Sequence, residues 1–186
     1  ELNYIYHNID NYILPSSGYY YSVSGDLRGT FLGGARHYIK LESEYRHYYP
    51  LYNRFVFASR FQVGFLEILK TENDINYLPT YDRLYLGGST SMRGWDEEGL
   101  NPNGGKLRYL VNQELRFPLF WKIGAELFID AGKLLENEHD NSKSDWDWNI
   151  GYGLNFLTPL GPMRIDASYQ YGKGKATITN ALLYIF

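Results

Sequence analysis

Lys106-Leu107-Arg108-Tyr109-Leu110-Val111-Asn112-Gln113-Glu114-Leu115-Arg116-Phe117 alternates along its length. Leu107, Tyr109, Val111, Leu115 and Phe117 fall on one face, while Lys106, Arg108, Asn112, Glu114 and Arg116 fall on the other. A period of two is that of a β-strand, whose successive side chains point to opposite sides. Three more runs repeat the pattern. Phe55, Phe57, Phe61, Val63 and Phe65 oppose Arg54, Arg60 and Gln62; Trp146, Trp148, Ile150, Tyr152, Leu154 and Phe156 oppose Asp147, Asn149, Gly151, Gly153 and Asn155; Met163, Ile165, Ala167, Tyr169 and Tyr171 oppose Arg164, Asp166, Ser168 and Gln170.

A soluble antiparallel sandwich also alternates, so strand length and the chemistry of the two faces must decide. Soluble strands run about five or six residues, whereas a tilted strand crossing a bilayer needs about 9–11. These runs have the longer span. Their apolar faces are continuous and carry aromatics towards their ends, and their polar faces are too charged for a sandwich core. The predicted fold is an all-β, antiparallel outer-membrane barrel, apolar towards lipid and polar towards the lumen.

Composition agrees. The 186 residues fit one domain, 1–186, and include 19 Tyr, 10 Phe, 4 Trp and 19 Gly, which suits strands, turns and aromatic girdles. No apolar run approaches the roughly 20 residues of a membrane helix. With no cysteine there is no thiolate site, and with a net charge of −3 no nucleic-acid partner is expected.

Short proline-bearing turns near 14–18, 49–53, 118–121 and 158–162 alternate with longer polar links at 29–35, 70–105, 134–145 and 172–175. In membrane barrels short turns face the periplasm, which puts Phe186 on that side. The runs number nine: 2–9, 18–28, 35–48, 54–67, 106–118, 123–133, 147–157, 162–172 and 177–186. Single-chain bacterial barrels have even counts. An odd count predicts the C-terminal portion of a larger barrel, with a small eight-stranded barrel as the alternative. Exposed strand edges would otherwise need a second copy or another barrel protein.

The 70–105 gap is far longer than an ordinary connection of at most about 12–15 residues. Its centre, Leu86-Gly87-Gly88-Ser89-Thr90-Ser91-Met92-Arg93-Gly94-Trp95, is rich in glycine, which suits close backbone approach. A loop folded into the lumen is expected, with Arg93 facing carboxylates among Glu126, Asp130 and Asp166.

The ordered set of motifs resembles the outer-membrane insertase and translocase superfamily, which includes BamA, TamA and the two-partner-secretion transporters. Arg93-Gly94-Trp95 matches that family's arginine-glycine-aromatic loop motif, and Phe128, Asp130 and Gly132 match its Phe-x-Asp-x-Gly strand motif. Pro15-Ser16-Ser17-Gly18, Gly33-Gly34 with Tyr38, Glu114-Leu115-Arg116-Phe117-Pro118 and Pro159-Leu160-Gly161-Pro162 are further likenesses. Met92, where a small β-branched residue is usual, and Trp95, where Phe or Tyr is commoner, are departures. The resemblance implies that Arg93 pairs with Asp130, Glu126 being the nearest competitor, and that the runs correspond to the last nine strands of the family's barrel. It also implies a bacterial outer-membrane location, with the bilayer and client polypeptides or barrel proteins as partners. The ending Tyr184-Ile185-Phe186 is similar to the C-terminal assembly signal of outer-membrane barrels, with both aromatics expected at the interfacial belt.

Enzymatic readings find little support. His7, His37, His47 and His139 lack metal spacing, and Asp96-Glu97-Glu98 and the acidic residues of 136–140 read as solvated loops. No cofactor is expected. The competing functions are a passive pore and a membrane anchor for an upstream effector domain such as a patatin-like phospholipase.

Overall fold

The computed structural model describes residues 1–186 apart from 30–32, 34, 70–73, 121, 137–144, 159–160 and 183–185. Among the described residues nine strands form one antiparallel sheet in sequence order. They are β1 (Leu2–His7), β2 (Gly18–Arg28), β3 (Tyr38–Pro50), β4 (Val56–Ile68), β5 (Leu107–Phe120), β6 (Ile123–Leu135), β7 (Asp147–Thr158), β8 (Gly161–Gln170) and β9 (Lys175–Leu182). The meander is open, with β1 and β9 at its edges. No helix among the described residues is long and apolar enough to cross a membrane, which says nothing of crossing by strands.

Strands β3 to β7 run 12 to 14 residues, enough for a tilted crossing. Their outward faces are apolar and exposed: Leu41, Phe61, Val63, Leu127, Ile129, Ile150, Tyr152 and Leu154 are each 41–62 % accessible. Such a continuous band would be an aggregation surface in water, but it is the expected surface against lipid. Rings gather at both margins of the band. Phe55 stacks on Phe117 at the end with the short turns, and Trp148 stacks on Tyr171 at the other. This is the girdle arrangement of a membrane barrel.

The inward faces bury charge. Arg60, Glu114, Arg116, Glu126, Asp130, Arg164 and Asp166 are each 7 % exposed or less. The lumen is not polar throughout, however. Tyr38, Leu66, Ile68, Leu110 and Leu134 line it near the β4–β5 connection and pack against Leu78, Leu84, Leu86, Met92 and Trp95 of that connection. Residues 74–106 are thus folded against the inward face, seated on an apolar floor. Leu84 forms a bridge to Gly105, and short 3-10 turns at Ile75–Tyr77 and Thr80–Asp82 shape the descent.

One expectation is corrected. Phe186 does not lie at the lipid interface; it is 5 % exposed and clusters with Tyr48, Val56 and Ala58 on the inward face. Arg116 Nη2 donates to its main-chain oxygen at 3.0 Å, and its ring lies 5.2 Å from the Arg116 guanidinium. The β8–β9 ladder ends at Met163 opposite Leu182, so alternation along β9 no longer governs residue 186. Tyr184 lies outside the described residues.

Candidate functional site

The β5–β6 ladder sets Glu114 opposite Phe128 and Asn112 opposite Asp130. On β6 the period of two puts Glu126, Phe128, Asp130 and Gly132 on the inward face. Glu126, Phe128 and Asp130 meet one loop residue, Arg93. Arg93 is fully buried, and its Nε and Nη2 donate to the two oxygens of Asp130 at 2.9 and 2.7 Å. The Arg93 amide adds a third bond to Asp130, at 3.1 Å. The remaining terminal nitrogen, Nη1, donates to Glu114 at 2.6 Å and Glu126 at 3.1 Å. Below the plane lies the Phe128 ring, 3.4 Å from the guanidinium carbon to the centroid.

Each feature answers a physical need. The planar fork of arginine matches the two oxygens of a carboxylate and fixes orientation as well as charge. An aromatic face provides a favourable, nearly dry bed for the cation. Gly132 leaves room: a β-carbon there would lie 2.5 Å from Met92 Sδ and 2.9 Å from Leu86. Gly151 of β7 does the same for Phe128, whose ring occupies the space a side chain would take.

Further charges close the cluster. Arg116 bonds Glu114 at 2.7 Å, and Arg164 bonds Asp166 at 2.5 Å. Three cations, Arg93, Arg116 and Arg164, therefore face four carboxylates, Glu114, Glu126, Asp130 and Asp166. Asp166 engages Arg164, and the three carboxylates on Arg93 are those of Glu114, Glu126 and Asp130.

The loop main chain is held as well. Arg164 Nη2 donates to the Ser89 carbonyl, Arg60 Nη1 to that of Thr90 and Asn112 Nδ2 to that of Ser91, at 2.7 to 2.8 Å. Three consecutive carbonyls are thus captured from β8, β4 and β5. Trp95 enters the apolar cluster. Across the loop, Glu97 accepts from the Ser89 amide at 3.0 Å.

The 1–180 region matches the family model described as the Omp85 superfamily domain. The chain belongs to the Omp85 superfamily. Among relatives, the outer membrane protein assembly factor BamA of Nitratidesulfovibrio vulgaris is 24 % identical over 175 residues, covering 87 % of this chain and 21 % of that protein. Outer envelope protein 39, chloroplastic, of Arabidopsis thaliana is 29 % identical over 129 residues, covering 62 % of this chain and 35 % of that one. A crystal structure of Haemophilus ducreyi BamA lacking POTRA domains 1–3 superposes with a TM-score of 0.79 at 17 % identity, over 96 % of this chain and 41 % of that one. The chain thus spans from a fifth to two fifths of the length of the relatives it matches.

Within this Omp85 chain, Arg93, Glu126, Phe128, Asp130 and Gly132 come together, with Gly94 and Trp95 leading away from them. Phe186 sits apart, at the short-turn end. Glu114, Arg116 and Arg164 are site residues that the search for a partner to Arg93 passed over. Their signal was present in the alternation, which puts each on the charged face. The carbonyl contacts at 89–91 carry no such signal, because any residue supplies a main-chain oxygen. Among the described residues no group of three or more His, Cys, Asp or Glu is placed to hold a metal.

Proposed function

We propose that this chain is the wall of an outer-membrane barrel that handles other polypeptides, inserting barrel proteins or passing a chain across, with Arg93 clamping the internal loop to β5 and β6. The observation that carries the reading is the fully buried Arg93 fork on Asp130, in a chain whose residues 1–180 match the Omp85 superfamily domain. Relatives named for outer-membrane assembly and for an outer envelope support the location and the client class. The short turns face the periplasm in this reading, and Tyr184 and Phe186 act as the barrel's own assembly signal. The loop braces the wall so that strands elsewhere in the barrel are free to receive a client, which holds the clamp to a structural role without chemistry.

The test uses the complete protein carrying this region, reconstituted in phospholipid vesicles and in planar bilayers. Faster folding of an unfolded client barrel than in protein-free vesicles supports the proposal. Open ohmic channels with no acceleration would instead support a passive pore. Neither conductance nor acceleration, with activity residing in an upstream domain, would support an anchor.

A further inference from the structure

Arg93 reaches β5 and β6, but the next residue reaches elsewhere. The main-chain oxygen of Gly94 accepts from Gln170 Nε2, the last residue of β8, and from Thr177 Oγ1 of β9 at 3.2 Å. Gln170 is 3 % exposed, so its amide is committed to this contact and not to solvent. Gly94 has φ +104°, and a β-carbon on it would lie 2.6 Å from Ser168 Oγ of β8. Lys173, in the turn between β8 and β9, places its ammonium 5.5 Å from the centre of the Trp95 ring. Every one of these contacts comes from a single hairpin.

The loop therefore grips two separate parts of the wall through adjacent residues. Between them lies β7, whose Asn149 and Gly151 face inward, with the Phe128 ring filling the space beside Gly151. The Arg93 contacts are ionic and aromatic; those of Gly94 are neutral and directed at a main-chain oxygen. Losing one set leaves the other chemically intact.

We propose that Gln170 and Thr177 are positioning residues that fasten the Gly94 carbonyl to the β8–β9 hairpin, so that the loop and β9 move as one body. This rests on the reading of the loop as an internal brace, and it assigns the brace a second point of attachment. Displacing the loop then disturbs the pitch of β9, and disturbing β9 loosens the loop.

Hydrogen exchange of the complete protein in vesicles tests the linkage. Thr177→Val keeps the shape and removes one donor; Gln170→Leu removes the other. Exchange in residues 92–100 and in 175–182 should rise together, roughly fivefold for each hydrogen bond lost, while β5 and β6 stay as protected as in the parent. Gln170→Glu, with the same outline but an oxygen facing the carbonyl, should raise both segments at least as much. A rise in β9 alone would mean that Gln170 merely packs the hairpin, and a rise in the loop alone would mean that the contact does not steady the strand. Either result, or no rise in either segment, overturns the proposal. Should either Gln170 variant fail to give the heat-modifiable gel band of a folded barrel, the isosteric Thr177→Val carries the same comparison. The readout does not involve a client, so loss of the insertion reading would leave this result standing.

Discussion

A guanidinium surrounded by three carboxylates and resting on an aromatic face is far more costly to remove than to assemble. With Arg93→Ala, two cations are left against four buried carboxylates, and uncompensated buried charge is penalised by roughly 3–5 kcal/mol. That loss falls on the loop, since the strand ladders do not pass through Arg93. Limited proteolysis should open the 86–95 segment while the heat-modifiable gel shift of the barrel persists. Arg93→Lys should not restore protection, because an ammonium offers neither the fork to Asp130 nor a flat face for Phe128. Asp130→Asn combined with Arg93→Ala should cost less than the sum of the two, whereas Asp166→Asn combined with Arg93→Ala should be closer to additive. Thermal denaturation of the three single and two double variants measures both cycles. The period of two put Asp130 on the inward face together with Glu126, and only the resemblance to the Phe-x-Asp-x-Gly motif singled it out. Glu114 was not legible as a partner, for its place beside Arg93 depends on the register between β5 and β6, which no single strand encodes.

The strands themselves were legible almost to their ends, since a lipid face and a charged lumen make alternation strict. Where strands begin to serve the loop, the rule breaks: Leu66, Ile68, Leu110 and Leu134 are apolar on the charged side because they floor the loop. Those interruptions were visible in the sequence as pairs such as Leu66 and Ile68, but only a loop known to fold inward gives them a reason. The glycines of β6 and β7 belong to the same scale. Gly132→Val should force Met92 and Leu86 aside at an overpacking cost of about 1–3 kcal/mol, with the loop loosened as in Arg93→Ala. Retained protease protection in that variant would argue that the loop does not bear on β6. The turn between β1 and β2 makes a separate prediction. Burial pushes the Asp10 carboxyl up, but the Ser16 hydroxyl and the Ser16 and Ser17 amides more than offset this and hold it below the usual carboxylate range. A lowered pKa means the bonds contribute fully above the ordinary range and are lost as pH falls through the lowered value. NMR titration of the Asp10 carboxyl should therefore show a midpoint below that of Asp10 in the unfolded chain. An unshifted midpoint would remove the turn's anchor.

At the scale of the molecule, the inward face carries both buried charge and an apolar floor, the outer band is apolar, and one loop lies on the inward face. The odd strand count and the open sheet had the same origin in sequence and in structure, whereas the inward turn of Phe186 did not announce itself: its burial depends on Tyr48, Val56 and Arg116, all distant in the chain. The central claim is that Arg93 holds the loop inside the barrel wall. This region contains no cysteine, so Met92→Cys, with any cysteine elsewhere in the complete protein replaced by serine, places a single reporter thiol at a site where the native side chain is wholly buried. Labelling of that thiol by a bulky, water-soluble maleimide, in the complete protein within membranes, measures the claim directly. The account predicts slow labelling with Arg93 in place and labelling at least tenfold faster with Arg93→Ala. Equal rates in the two proteins would contradict it.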